Sequence, residues 1–301
     1  MTKYGILMAF LLLSSCCLAQ HEDNIWMFGS EPYDEIQTVI QNDTTSGATN
    51  MDFNYDPPRI RYDSLRFKDF GGTNSSITNE DGSILMYTNG QSIYDGNNEY
   101  IEDTINYNDQ WENWIISSGD IHVRDVLPAI QGAMTLPMPT QENVFILIYS
   151  QFNSEMSRTM NLFSTKVDLN MPVGSQVLER DNLLIENDTI ASGTLNAIKH
   201  GNGRDWWILK LDRNNGNIYR FLLNPNGISD YEIIDFGDSF ETSIGQLYFS
   251  PNGESVAANC NPRLSADDSQ IVIANFNRST GEISDINEEI IERNTYARGI
   301  S

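Results

Sequence analysis

Apolar and polar positions in "LNAIKHGNGRDWWILKLDRNNGNIYRFLLNPNGISDYEIID" follow an order that predicts strands. In "DWWILKL", Trp207, Leu209 and Leu211 fall on one side and Trp206 and Ile208 on the other. Side chains alternate along a strand, so a run that is apolar on both sides suits a strand buried on both faces. "GNGR" before it and "DRNNG" after it are turns, because Asn and Gly tolerate positive φ where other residues resist it. "NIYRFLLN", the turn "PNG" and "ISDYEIID" follow, so four antiparallel strands are predicted across residues 194–236.

The same grammar returns over residues 243–287, as "IGQLYFS", the turn "PNG", "ESVAANCN", a polar loop, "QIVIANFN", the turn "RSTG" and "EISDINE". The hairpins "LDRNNGNIY" and "FNRSTGEIS" read as degenerate copies of one another. Upstream, "SSITNEDGSILMYTNGQSIYDGN" is a third copy that turns at Asp81-Gly82. A fourth runs from "AIQGAMTLPMP" through "VFILIYSQF" and "MNLFSTKVDLN" to "LLIEND", with Gln151 to Arg158 expected as a longer hairpin loop. Units of this length match the period of about 40–45 residues of a four-stranded propeller blade. No stretch has the period of a long amphipathic helix. The expectation is an all-β fold, a β-propeller of four-stranded antiparallel blades. The final "NTYARGIS" reads as the first strand of another blade, so the expected ring is incomplete, about four blades plus the start of a fifth.

Composition bounds this picture. With 301 residues and 40% hydrophobic content the chain can bury a sizeable core. A formal charge of −24 repels nucleic acid and anionic headgroups, so neither is expected as a partner. Residues 1–19 read as a signal peptide: Lys3 precedes an apolar run from Ile6 to Leu13, and small residues lead to a junction at Ala19-Gln20. The mature domain is then 20–301, exported to the exterior or the outer cell surface. The apolar run is too short to span a bilayer, so no transmembrane segment is expected. "LSSC", ending at Cys16, is also compatible with lipidation there. After cleavage Cys260 stands alone, which rules out an intrachain disulfide and leaves it as a small buried hydrophobe. The sequons at Asn42, Asn74, Asn187 and Asn277 mark polar loops.

Several stretches together carry a family resemblance. They are "NIWMFG" at 24–29, "MDFNYDPP" at 51–58, "ITNEDGSILMYTNGQSIYD" at 77–95, "LPMP" at 136–139, "IKHGNGRDWW" at 198–207, "LYFSPNGE" at 247–254 and "FNRSTGEIS" at 276–284. In this order they resemble the propeller-like, WD-repeat-like N-terminal regions of secreted cargo of the type IX secretion system in gliding Gram-negative bacteria. The resemblance implies a propeller and a C-terminal sorting domain, which this sequence does not contain. It implies no enzymatic activity, and it gives His200, Gly201, Gly203, Arg204, Asp205, Trp206 and Trp207 no role beyond marking a blade.

Candidate chemistry is sparse. The only histidines are His21, His122 and His200, and neither G-x-S-x-G nor H-E-x-x-H occurs. "GNGRDW" starts like a dinucleotide fingerprint, but Trp206 occupies the position of the last Gly and no helix follows. The simplest reading is structural: Gly201 and Gly203 make a turn, Trp207 fills the space between blades, and Arg204 pairs with Asp205. "DFNYD" offers oxygens at Asp52, Asn54 and Asp56, a weak Ca²⁺ candidate in which Pro57 stands where an EF-hand loop needs Gly. Tyr107, Trp111 and Trp114, set among Asn, Asp and Glu, are candidates for contact with a protein or glycan partner. The leading functional expectation is a non-enzymatic module for binding, adhesion or display. The alternative is a propeller hydrolase or lyase that uses paired carboxylates such as Asp120 or Asp205 on polysaccharide or peptide.

Overall fold

A computed structural model describes residues 24–29, 48–63, 70, 72–79, 81–105, 127, 129–153, 158–236, 242–262 and 269–291. Among them every regular element is a strand, and the strands form five antiparallel sheets. The first contains β1 (Ile25–Phe28), β2 (Ala48–Asp52) and β3 (Arg59–Asp63). The second contains β4 (Ser75–Thr78), β5 (Ile84–Thr88), β6 (Ile93–Asp95) and β7 (Tyr100–Glu102). The third contains β8 (Ala133–Pro137), β9 (Val144–Asn153), β10 (Arg158–Asp168) and β11 (Val177–Thr189). The fourth runs β12 (Asn196–Lys199), β13 (Trp206–Leu211) and β14 (Asn217–Asn224), with its outer position shared by β15 (Gly227–Ile228) and β16 (Glu232–Asp235). The fifth contains β17 (Thr242–Phe249), β18 (Ser255–Pro262), β19 (Ser269–Phe276) and β20 (Ile283–Ile291).

Strands pair in chain order within each sheet, so each is a meander. The four predicted blades are the second to fifth sheets. Ahead of them β1, β2 and β3 form a further sheet, for which the hydrophobic pattern predicts no blade because "ATNMD" and "RIRYD" are short and polar. The predicted loop at Gln151 to Arg158 is shorter than expected, since Gln151–Asn153 belongs to β9 and Arg158 opens β10. The side chain of Cys260 and the stretch "NTYARGIS" lie outside the described residues.

Burial explains the architecture. Each of four hydrophobic clusters lies between two successive sheets, and alternate residues of one strand serve different clusters. Trp207, Leu209 and Leu211 pack towards the fifth sheet, while Ile208 and Trp206 pack towards the third. Leu147 and Tyr149 face the second sheet, whereas Ile146 and Ile148 face the fourth. Strands apolar on both sides are what such radial stacking requires. Successive sheets are also tied by polar contacts near their inner edges. Ser76 Oγ donates to the Ile25 carbonyl at 2.9 Å, and Ser75 Oγ accepts from Thr135 N at 2.9 Å. Ser192 Oγ accepts from Ile130 N at 2.9 Å, and Asn196 Nδ2 donates to the Leu247 carbonyl at 2.7 Å. The fold is therefore propeller-like and all-β, and among the described residues the ring is not closed. Trp26, Ile60 and Tyr62 on the first sheet are 51%, 69% and 47% exposed, and Tyr248 and Ile273 on the fifth are 40% and 50% exposed.

Candidate functional site

The motif "HGNGRDWW" is the hairpin between β12 and β13. His200 N donates to the Asp205 carbonyl at 2.8 Å and Gly203 N to the His200 carbonyl at 2.9 Å, which closes the turn. Asn202 N donates to His200 Nδ1 at 2.9 Å, so that ring nitrogen is an acceptor. Asn202 Oδ1 accepts from Arg204 N and Asp205 N. The buried Asp205 carboxylate receives Arg204 Nε at 2.7 Å, Arg204 Nη2 at 2.9 Å and Asn202 Nδ2 at 2.7 Å. This bidentate guanidinium, helped by Asn202, holds the Asp205 carboxyl below the usual carboxylate range. Both charges of the motif are thus spent inside the turn, and none points at a ligand.

The Trp pair divides between two interfaces. Trp206 lies towards the third sheet, with Lys199 Nζ 3.9 Å from its ring centroid. Trp207 is buried against the fifth sheet, and its Nε1 donates to the Arg278 carbonyl at 2.8 Å. The Trp207 ring lies beside His200, with centroids 5.2 Å apart, and beside the Arg220 guanidinium at 5.1 Å. Arg278 fastens the two sheets from the other side. Its carbonyl also accepts from Gly201 N at 2.7 Å, its Nε donates to the Lys199 carbonyl at 3.0 Å, and its Nη1 donates to the Asn252 carbonyl at 3.4 Å. A Cβ at position 201 would overlap the Ser279 side chain, so Gly there permits the close approach of the two turns. Arg278 escaped prediction from sequence; its signal was the kinship of the "DRNNG" and "NRSTG" turns.

These turns wall a groove of about 520 Å³ beside Gly201. Asn252 and Glu254 come from the β17–β18 turn, while Asn277, Arg278, Ser279 and Glu282 come from the β19–β20 turn. Asn252 Nδ2 donates to Glu254 Oε2 at 2.7 Å, and Asn277 Oδ1 accepts from Ser279 N at 2.9 Å. The groove is polar, carries a carboxylate on each side, and stands on backbone that Trp207 and Arg278 make rigid.

Other sequence candidates fall elsewhere. Tyr107, Trp111, Trp114 and Asp120 lie outside the described residues. In "DFNYD", Asp52 Oδ1 accepts from Asn54 N at 3.0 Å and Asn54 Nδ2 at 2.9 Å, while Asp52 Oδ2 pairs with Arg61 at 3.3 Å. Asn54 Oδ1 also accepts from Asn24 Nδ2 at 2.8 Å, so Asp52 and Asn54 tie this turn to β1 and β3. Among the described residues no group of three or more His, Cys, Asp or Glu side chains could hold a metal ion. No helix among them is long and apolar enough to cross a membrane. An aromatic surface missed from sequence lies on the first sheet, where Trp26 packs 4.9 Å from Phe53 and Arg59 sits 3.5 Å from the Tyr55 centroid.

No family model and no curated protein matches the chain. Among solved structures it is similar to a periplasmic gluconolactonase of Pseudomonas aeruginosa, at 13% identity over 84% of this chain and 79% of that one, with a TM-score of 0.37. It is also similar to a protein described as a 6-phosphogluconolactonase from Bacteroides fragilis, at 8% identity over 89% and 82%, with a TM-score of 0.34. An exo-β-1,3-galactanase of Phanerochaete chrysosporium matches over 52% of this chain at 8% identity and a TM-score of 0.33, and only 35% of that enzyme's length is spanned. The activities named belong to those proteins.

Proposed function

We propose that this chain is a non-enzymatic binding module of an exported surface protein, carried to the exterior as type IX cargo, and that the groove on the turns of the fifth sheet, beside Gly201, takes its ligand. The observation that supports this reading is the rigid frame beneath a polar concavity: Trp207 and Arg278 lock three turns that present amide, hydroxyl and carboxylate groups together. Variable turns on a fixed scaffold are where a repeat fold carries recognition. Groups of this kind suit a hydroxyl-rich glycan or a polar protein segment. Arrays of immobilised glycans and peptides test the assignment, with Ser284→Trp filling the groove and Ser229→Trp as a surface control. Binding lost in the first variant and kept in the second supports the site; equal binding by both places the ligand elsewhere.

The second reading is hydrolysis or elimination on polysaccharide or peptide. The observation favouring it is the presence of Glu254 and Glu282 on the two sides of one groove. Turnover of a panel substrate, abolished by either Glu254→Gln or Glu282→Gln, would establish it over the binding role.

A further inference from the structure

The sequence contains five Asn-Gly pairs, at 89–90, 202–203, 215–216, 226–227 and 252–253, and each lies where one strand turns back to the next. Such a pair carries a reaction of its own. The Gly nitrogen, unshielded by a Cβ, attacks the Asn Cγ, ammonia leaves and a succinimide ring forms. Water then opens the ring at either carbonyl and leaves an aspartyl or an isoaspartyl residue. The carboxamide must be free to turn towards the next nitrogen, so the hydrogen bonds of each pair decide its fate.

Four of the five carboxamides are held. Asn89 is buried, its Oδ1 accepts from Gln91 N at 3.1 Å and Ser92 N at 3.0 Å, and Gly90 N donates to Thr88 Oγ1 at 2.9 Å. Asn202 is fixed by Arg204 N, Asp205 N and the Asp205 carboxylate, and Gly203 N donates to the His200 carbonyl. Asn215 Nδ2 donates to the buried Asp212 carboxylate at 2.9 Å. Asn252 Oδ1 accepts from Ser250 Oγ at 2.7 Å and Glu254 N at 3.1 Å, while its Nδ2 donates to Glu254. Gly253 N donates to the Ser250 carbonyl at 2.8 Å. Asn226 is different. Its side chain is exposed and makes no hydrogen bond among the described residues. Gly227 has φ +117° and nothing within 4 Å of where a Cβ would stand, so its surroundings are open. Gly227 begins β15, which pairs with β14 at two positions, Leu223 with Ile228 and Asn224 with Gly227. So short a ladder at a sheet edge opens at little cost, which releases the Gly227 nitrogen.

We propose that Asn226 is a covalent modification site: in the folded chain its carboxamide is lost through the succinimide, while the other four Asn-Gly pairs persist. Hydroxide takes the Gly227 amide proton. The bond from Gly227 N to Cγ forms as the Cγ–Nδ2 bond breaks and ammonia departs, and solvent water is the co-reactant that opens the ring. Both products place a new carboxylate beside Pro225. The isoaspartyl form also routes the main chain through Cβ and Cγ, a longer path than the tight turn at Pro225 and Asn226 holds in register. Gln141 Nε2 donates to the Pro225 carbonyl at 3.2 Å and joins that turn to the third sheet, so the modification loosens a tie between two sheets. The groove keeps its Asn252 carboxamide.

Peptide mapping by mass spectrometry, after incubation in heavy-oxygen water at mildly alkaline pH, tests this. The chain is kept folded in buffer or unfolded in urea, and every converted Asn takes up solvent oxygen. Fragmentation separates the aspartyl from the isoaspartyl product at position 226. Expected in the folded chain is conversion at Asn226 at least about tenfold faster than at any other Asn-Gly pair, with rates within about threefold of one another in urea. Asn226→Gln, whose longer side chain closes a larger ring far more slowly, should abolish conversion there and leave the other four rates unchanged. Faster conversion at another pair, or equal rates at all five in the folded chain, overturns the assignment. Conversion of Asn226 in urea alone also overturns it, because the folded turn then holds this carboxamide as firmly as the others.

Discussion

Lys210 is fully buried on β13 and, among the described residues, its ammonium has no hydrogen-bond partner. Burial disfavours the charged form and pulls its pKa down to about 7. The unfolded chain would keep the ordinary lysine value of about 10.4, so between about pH 7 and 10.4 it binds the extra proton and stability rises with pH. Below that window the penalty is present in full. Lys210→Met is therefore expected to stabilise the protein by about 2–4 kcal/mol at pH 7 and to flatten the rise towards pH 10. Urea unfolding at pH 7 and pH 9.5 checks this, and equal parent stability at both would refute a buried neutral amine. A second residue-scale test concerns Gly281, which has φ +72° and where an added Cβ would meet the Trp207 ring at 2.8 Å. Gly174 has φ +82° with nothing within 4 Å. Both Ala variants bear the conformational strain, about 1 kcal/mol, but Gly281→Ala should lose about 1–2 kcal/mol more, the excess reporting the contact with Trp207. Thermal melts of the two variants side by side give the difference.

Between elements, sheets are held by apolar clusters and by a few polar ties, and the tie at Ser192 reaches three sheets. Its Oγ accepts from Ile130 N, and its carbonyl from Gly245 N, so one residue joins the entrances of the third, fourth and fifth sheets. Ser192→Ala removes the acceptor of the partly buried Ile130 N–H and is expected to lower stability by about 1–3 kcal/mol, read from the urea midpoint. A midpoint unchanged from the parent would show that the N–H finds water instead. The second to fifth sheets were legible because "EDGS", "SPNGE" and "LDRNNG" mark their turns and the strands between them alternate cleanly. The first sheet was not, because polar β2 and β3 hide the alternation and residues 30–47 separate β1 from its partner. The groove was equally hidden: its walls come from two turns about twenty-five residues apart that the pairing of β18 with β19 sets side by side, and the approach of Gly201 to Ser279 adds a third about fifty residues upstream. Lys210 escaped for the opposite reason, since a lysine in an apolar run ordinarily keeps its charged end in water.

At the scale of the whole molecule, every internal sheet owes its burial to a neighbour on both sides, while the first and fifth sheets each keep one open face among the described residues. Val272 and Ile273 report the two situations from adjacent positions on β19. Val272 is fully buried in the cluster between the fourth and fifth sheets, and Ile273, on the other face, is 50% exposed. Val272→Ala should therefore cost about 2 kcal/mol in any version of the chain, because its cavity lies in an interface that exists regardless of the ends. Ile273→Ala should be nearly neutral, within about 0.5 kcal/mol, wherever its face meets water. Were that face covered in the folded chain, the same substitution would instead cost about 2 kcal/mol or more. Denaturant unfolding of the parent chain and the two variants side by side gives the two costs. A harmless Ile273→Ala beside a costly Val272→Ala means an open arc, in which the end sheets unfold at lower denaturant than the three between them.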